Sequence, residues 1–325
     1  MRKRPLGKTG LTVSELGYGA WGIGGGMWAD ADDNLALAAL RRSLELGVDF
    51  FDTAYVYGDG HSERLIGRVL KETGASAAVA SKIPPKNGRW PSVGGVSEAF
   101  PPGWIASCTE RSLKNLGKER LDLQQFHVWN DRWLDDPAWG ETWAAVERLK
   151  TEGKIAHWGV SIDSRAPRSA LRLAASGLCE SLQAIYNLFE QEPQDELFPL
   201  CEKHGVGVLV RVPFDEGGLT GTLTKKTTFP PGDFRGSYFS GSMLGETVRR
   251  ADALKKKLVP KFGATLAEAA LRYTLAPKAV SCVIPGMRRP LNVERNVQAA
   301  ARPPLPQELL SALRAHAWKR PNTSN

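Results

Sequence analysis

The sequence predicts a (β/α)8 TIM barrel, and three observations carry that prediction. Short apolar runs alternate with amphipathic stretches along most of the chain. Several of those runs are apolar almost throughout, as in parallel strands covered on both faces rather than half-exposed ones. Counting the run at 16–21 gives eight strands, which favours the closed barrel over the open doubly wound sheet. In chain order the strands are expected over 16–21, 48–53, 77–82, 121–128, 157–162, 181–185, 206–211 and 281–284. Helices are expected between them: 34–46 before Gly47, 62–72 with Gly74 beyond, 104–116 before Gly117, and 139–151 before Gly153. Glycine just past a periodic stretch is the usual helix stop. Later helices are expected over 193–204, 247–262 and 266–275, with a last one near 292–300. No linker divides the chain, so residues 1–325 read as one domain. The stretch 215–245 is rich in glycine, proline and polar residues, and a loop of that length in a compact fold is usually a functional lid or disordered.

Composition excludes several classes. Of 325 residues, 42% are hydrophobic and 24% charged, which is neither a disordered nor a collagen-like chain. The four cysteines, Cys108, Cys179, Cys201 and Cys282, lie far apart with no C-x-x-C spacing. They read as reduced thiols of a cytoplasmic protein. No apolar run approaches the roughly 20 residues of a membrane span, and no apolar leader precedes Gly7, so neither membrane insertion nor a signal peptide is expected. The net charge of +8 comes from 43 Lys and Arg against 35 Asp and Glu. Its densest clusters, 1–4 and 255–257, are short and lack interleaved aromatics, so nucleic acid is not an expected partner. Five histidines without paired ligand spacing argue against a metal site.

Gly17-Tyr-Gly19-Ala-Trp-Gly22 fits the dinucleotide fingerprint G-x-G-x-x-G literally. That turn must open a helix directly. Here Ile23-Gly24-Gly25-Gly26 follows, a run no helix tolerates, so the Rossmann reading fails.

Three polar residues fall at the C-terminal ends of expected strands, where barrel enzymes place their catalysts. Asp52 and Lys82 lie at two such ends and His127 at a third, while Tyr57 lies in the loop after Asp52. Singly, each has an ordinary reading: a turn cap, a solvated lysine, a packed imidazole. Jointly they suggest proton transfer. A phenol has a reference pKa of about 10. A neighbouring ammonium favours its ionised form and a carboxylate balances that ammonium. A neutral histidine can hold a carbonyl oxygen beside the phenol.

Asp52-Thr-Ala-Tyr-Val-Tyr57-Gly-Asp-Gly-His-Ser-Glu63 resembles the aldo-keto reductase signature D-T-A-x-x-Y-G-x-x-E. Residues 6–14 resemble that family's opening hairpin, and Gly19-Ala-Trp21 the end of its first strand. Gly159-Val-Ser161, Gln183-Ala-Ile-Tyr-Asn187, Gly217-Gly-Leu-Thr-Gly221 and Ile284-Pro-Gly286 with Glu294-Arg-Asn296 continue the match. The resemblance implies an NAD(P)H-dependent reductase of bacterial type on a barrel with an N-terminal β-hairpin, turning aldehyde or ketone carbonyls of small molecules into alcohols. Its catalytic tetrad maps to Asp52, Tyr57 as general acid, Lys82 and His127; family spacing selects Tyr57 over Tyr55. Ser161 and Gln183 would hold the nicotinamide carboxamide, and the loop at Gly218 would cover the diphosphate. Trp21, Asp52, Arg211, Pro213, Gly286, Arg288, Asn292 and Asn296 complete the implied cofactor contacts. Trp21, Trp90 and Trp129 are candidate pocket walls.

The sequence also departs from the family pattern. Ile162 stands where an asparagine usually follows the serine, and Arg211 where much of the family stacks a tyrosine. NADP(H) is expected over NAD(H), because Arg288 follows the last strand beside a helix N-terminus, where a 2′-phosphate can be held; Arg289 is expected to face solvent. The alternative to a reductase is a redox-sensing regulatory barrel with slow or vestigial turnover. Substrate, preferred direction and oligomeric state are left open by the sequence.

Overall fold

A computed structural model describes residues 1–163, 165–262 and 265–320. Two short strands, β1 (Lys3–Pro5) and β2 (Thr12–Ser14), form an antiparallel hairpin. Eight parallel strands follow: β3 (Tyr18–Gly19), β4 (Phe50–Asp52), β5 (Ala78–Ile83), β6 (Leu121–Phe126), β7 (Ile155–Ser161), β8 (Ser181–Ile185), β9 (Gly207–Arg211) and β10 (Val280–Val283). They pair in sequence order from β3 to β10. Parallel bridges Leu16–Val283 and Gly19–Gly286 join the first strand segment to the last, closing the (β/α)8 barrel. Glycine is required at that seam. A Cβ on Gly19 would lie 2.5 Å from the Ile284 carbonyl oxygen, so any side chain would prise the seam apart.

The hairpin stops the N-terminal end of the barrel. Leu6 and Val13 pack with Phe50, Ala80, Leu123, Leu209, Cys282 and Ile284 in a buried cluster separate from the larger core between sheet and helices. Each fully buried side chain of this kind contributes roughly 1.5–3 kcal/mol. The opposite end, where the strands terminate, is left to the polar residues.

Most elements fall within a few residues of expectation, and the differences have causes. The expected helix 193–204 is a 3₁₀ turn, Glu192–Gln194, followed by the helix Leu197–His204. Starting at Leu197 places Pro199 in the first turn, where its missing N–H costs nothing; an earlier start would put it in the interior. The first strand is two residues long and gives way to a 3₁₀ turn at Trp21–Ile23. Within 215–245 the chain forms a helix, Phe234–Tyr238, and the next helix, Met243–Phe262, begins four residues before the expected 247. The cysteines are free and buried. Among the described residues no helix is long and apolar enough to cross a membrane.

Candidate active site

The strand ends gather one polar cluster. Asp52 closes β4, Lys82 is the penultimate residue of β5, and His127 follows β6 directly. The buried Lys82 ammonium donates to Asp52 Oδ1 at 2.5 Å, to the Thr53 carbonyl at 2.8 Å and to the Tyr57 hydroxyl at 3.4 Å. Asp52 Oδ2 accepts from Gln183 Nε2 at 2.7 Å and from Gln125 Nε2 at 3.4 Å. A buried ion pair persists only when its remaining donors and acceptors are satisfied in this way. Tyr57 is brought in by close contact of two loops: a Cβ on Gly24 would lie 2.7 Å from the Tyr57 carbonyl carbon.

Tyr57 and His127 meet with ring centroids 5.7 Å apart, and Trp90 stands edge-on to His127 at 4.8 Å. Burial raises the Tyr57 pKa above its ordinary value, against the pull of Lys82 and, more weakly, of Arg211. The ammonium acts in the direction the sequence suggested, but desolvation outweighs it, and the phenol stays protonated. Burial, together with Lys82 and Arg211, lowers the His127 pKa well below its ordinary value, which leaves a neutral imidazole. Its Nδ1 is buried without a hydrogen-bond partner among the described residues.

Other expected residues share this mouth. Ser161 and Gln183 are register partners on β7 and β8, both buried. Arg211 ends β9 and donates from Nη2 to the Ile162 carbonyl at 3.1 Å. Pro213 is buried beyond it, and Gly218 lies in the following turn. Trp21 packs edge-on to Trp28 and Phe234, with its ring 6.3 Å from that of Tyr57. Gly286 is exposed, with open space where a side chain would stand. Asn292 is exposed in the first turn of the helix Pro290–Ala301, Asn296 is buried one turn on, and Arg289 is exposed.

Arg288 does not lie along the helix that follows it. It crosses to the loop after β3, donating to the Ala29 carbonyl at 3.1 Å with its guanidinium 5.1 Å from the Trp28 ring. Arg235, clamped by Asp233, lies at the same distance from that ring. Trp129 is no pocket wall: it is fully buried against Trp133, Trp139 and Trp158. Trp90 is 49% exposed and stands against His127. Tyr55 turns away, its hydroxyl accepting from Arg111 Nη1 at 3.1 Å.

Sequence reasoning missed Gln125, Trp28, Arg235 and Asp163. Asp163 accepts from the Ser92 backbone N–H at 2.9 Å and its hydroxyl at 2.5 Å, tying down the loop that carries Trp90. Only Gln125 had a local signal, its place in the strand leading to His127. The donor set fits a long anionic dinucleotide: amides and a hydroxyl beside the phenol, an open glycine at Gly286, and two guanidiniums meeting on one indole. Among the described residues no three His, Cys, Asp or Glu cluster as metal ligands.

Comparison with known proteins agrees. The model of the Aldo/keto reductase family matches residues 15–317. An uncharacterized oxidoreductase of Bacillus subtilis, YqkF, is 30% identical, covering 97% of this chain and 96% of its own. The NADH-specific methylglyoxal reductase of Escherichia coli is 29% identical, with 92% and 93% covered. Among solved structures, the holo form of an aldo-keto reductase from Bacillus halodurans superposes with a TM-score of 0.76 at 29% identity, covering 98% of this chain and 96% of its own. The chain belongs to the aldo/keto reductase family, whose members are nicotinamide-dependent oxidoreductases acting on small carbonyl compounds.

Proposed function

We propose that this chain, a single barrel domain, is an NADP(H)-dependent carbonyl reductase with Asp52, Tyr57, Lys82 and His127 as its catalytic residues. The observation that carries this reading is the hydrogen-bonded chain Asp52–Lys82–Tyr57 beside a neutral imidazole. When held there, a nicotinamide would supply the hydride that the carbonyl carbon takes up. His127 holds the carbonyl oxygen near the phenol. Tyr57 gives its proton to that oxygen as negative charge develops there, a role worth roughly 10²–10⁴-fold for a positioned acid. Lys82 then faces the phenolate, and Asp52 offsets the ammonium's charge between turnovers. Water restores the proton.

Ser161 and Gln183 would orient the carboxamide end, and Trp21, Pro213 and Gly218 would flank the cofactor. Arg211 would take the place of the usual aromatic partner, since a guanidinium can also lie against a ring. Gly286, Asn292 and Asn296 would line the adenosine end. Arg288 supports the NADP(H) preference: freed from Ala29, its guanidinium can form charge-assisted, bidentate bonds to a 2′-phosphate. One relative is named for NADH, so the preference must be measured on this chain. The test is oxidation of NADPH and NADH, followed by absorbance, with methylglyoxal and a panel of aromatic and aliphatic aldehydes. Turnover with NADPH at the higher kcat/KM supports the proposal; no turnover with any carbonyl contradicts it.

A further inference from the structure

We propose that Arg320 is a positioning residue for the cofactor loop: it pins the turn 212–218 from beneath without touching the cofactor. This rests on the proposed function in one respect, that the turn at Gly218 covers the cofactor's phosphates. Arg320 is 105 residues from Asp215 in sequence, yet its Nη2 donates to Asp215 Oδ2 and, at 3.0 Å, to Thr247 Oγ1. The two charged side chains are 1% and 0% exposed. The Tyr238 hydroxyl donates to the other oxygen, Asp215 Oδ1, at 2.7 Å.

The guanidinium is sandwiched as well as bonded. It lies 4.7 Å from the Tyr238 and Trp318 ring centroids and 5.6 Å from that of Phe239. Trp318 anchors the tail to the barrel through its backbone N–H, which donates to the Phe189 carbonyl at 2.8 Å. The latch reaches the loop directly. A Cβ on Gly218 would stand 2.4 Å from Asp215 Oδ2 and 2.6 Å from Thr247 Cγ2, so the backbone at Gly218 rests on the very groups Arg320 holds. Val212, Asp215 and Glu216 have φ of 57°, 51° and 53°, left-handed conformations that non-glycine residues keep only when surrounding structure imposes them. Burying one partner of an ion pair alone is costly, so the turn and the tail settle together.

The test compares wild type with Arg320→Gln, Arg320→Lys, Asp215→Asn and the double variant Asp215→Asn/Arg320→Gln. Tryptophan-fluorescence titration gives the Kd of NADPH and NADH, stopped flow gives cofactor release, and hydrogen exchange of the cofactor-free protein reports on 212–221. In Arg320→Gln the account expects release at least roughly tenfold faster, a Kd weaker by a similar factor, and lost exchange protection at 212–221. Its kcat at saturating cofactor should stay within about threefold of wild type. Arg320→Lys should recover part of the affinity, and the double variant should lose less than the sum of its parts. A folded Arg320→Gln protein with wild-type Kd and protection overturns the proposal, as does a fall in kcat with affinity intact. Should Arg320→Gln not fold, Trp318→Leu and Arg320→Lys carry the same readouts, and unchanged values in both overturn it. A wild-type protein that binds neither dinucleotide contradicts the proposed function instead, and the exchange data alone then decide the latch.

Discussion

The two ends of the barrel treat buried polar groups in opposite ways. At the hairpin end, Arg2 and Arg4 grip Glu15 at 2.6 and 3.0 Å and donate to the Ala300, Val280 and Leu275 carbonyls at helix and strand ends. Arg272 serves the Pro303 carbonyl there as well. Glu180 accepts from the His157 ring, the Trp158 N–H and Lys150 at 2.7, 3.0 and 3.0 Å. Burial alone would push its carboxyl up, but these partners outweigh it and hold the pKa at about 2. At the mouth the balance reverses: burial pushes Asp215 and Glu216 up to about 7. Backbone strain follows the same division. Among the described residues the non-glycine positions with positive φ are Asp30, Asp59, Arg165, Val212, Asp215 and Glu216, all in loops after strand C-terminal ends. One end uses charge to hold the fold together. The other keeps charge, strain and open space where a substrate can use them.

Lys82→Met should break the mouth most severely. It leaves Asp52 buried without its cation, a loss of about 3–5 kcal/mol in stability. It also lets the Tyr57 pKa climb further, since Lys82 is what opposes burial there. Alcohol oxidation, which needs the phenolate, should fall further than carbonyl reduction. Denaturant melts and pH–rate profiles in both directions check this, and equal losses at every pH would leave Lys82 only a structural role.

Arg288→Ala should weaken NADPH by roughly 1.5–3 kcal/mol, the range for hydrogen bonds to a charged group, and leave NADH nearly unchanged. Isothermal titration of both cofactors decides it, and an equal loss for NADH removes the 2′-phosphate assignment.

Acid stability should differ in sign between the two ends. Glu180 has a folded pKa below its unfolded value, so its contribution is present above about pH 4.5 and lost as pH falls towards 2. Glu180→Gln should cost on the order of 2 kcal/mol at pH 7, and the difference from wild type should shrink through that window. Glu216 has the opposite sign. Its folded pKa is raised, so it favours folding below about pH 4.5 and loses that advantage as pH rises through 7. Glu216→Gln should therefore gain on wild type as pH rises across that range. Melting curves from pH 3 to 8 on both variants would show whether the two ends carry opposite signs.

The barrel and the polar set at its mouth were legible because strand periodicity and strand-end position are local properties of sequence. Asp52, Lys82 and His127 could be read from short apolar runs that end in a polar residue. The contacts of Trp28, Arg235 and Arg320 could not, because their partners come from distant loops and only tertiary packing joins them. Trp129 misled for a related reason: an indole three residues past a strand can serve the pocket or the core, and here packing with three other tryptophans decided. The helix beginning at Leu197 was readable in principle, from Pro199, but apolar periodicity carried the expectation too far upstream.

In the proposed reaction Tyr57 gives the proton at this mouth. Steady-state carbonyl reduction by wild type, Tyr57→Phe and Tyr55→Phe tests it most directly, with cofactor Kd measured on each protein. The account predicts that Tyr57→Phe binds cofactor as wild type does and loses roughly 10²–10⁴-fold or more in kcat, while Tyr55→Phe stays close to wild type. Near-wild-type turnover in Tyr57→Phe, with Tyr55→Phe inactive, would contradict it.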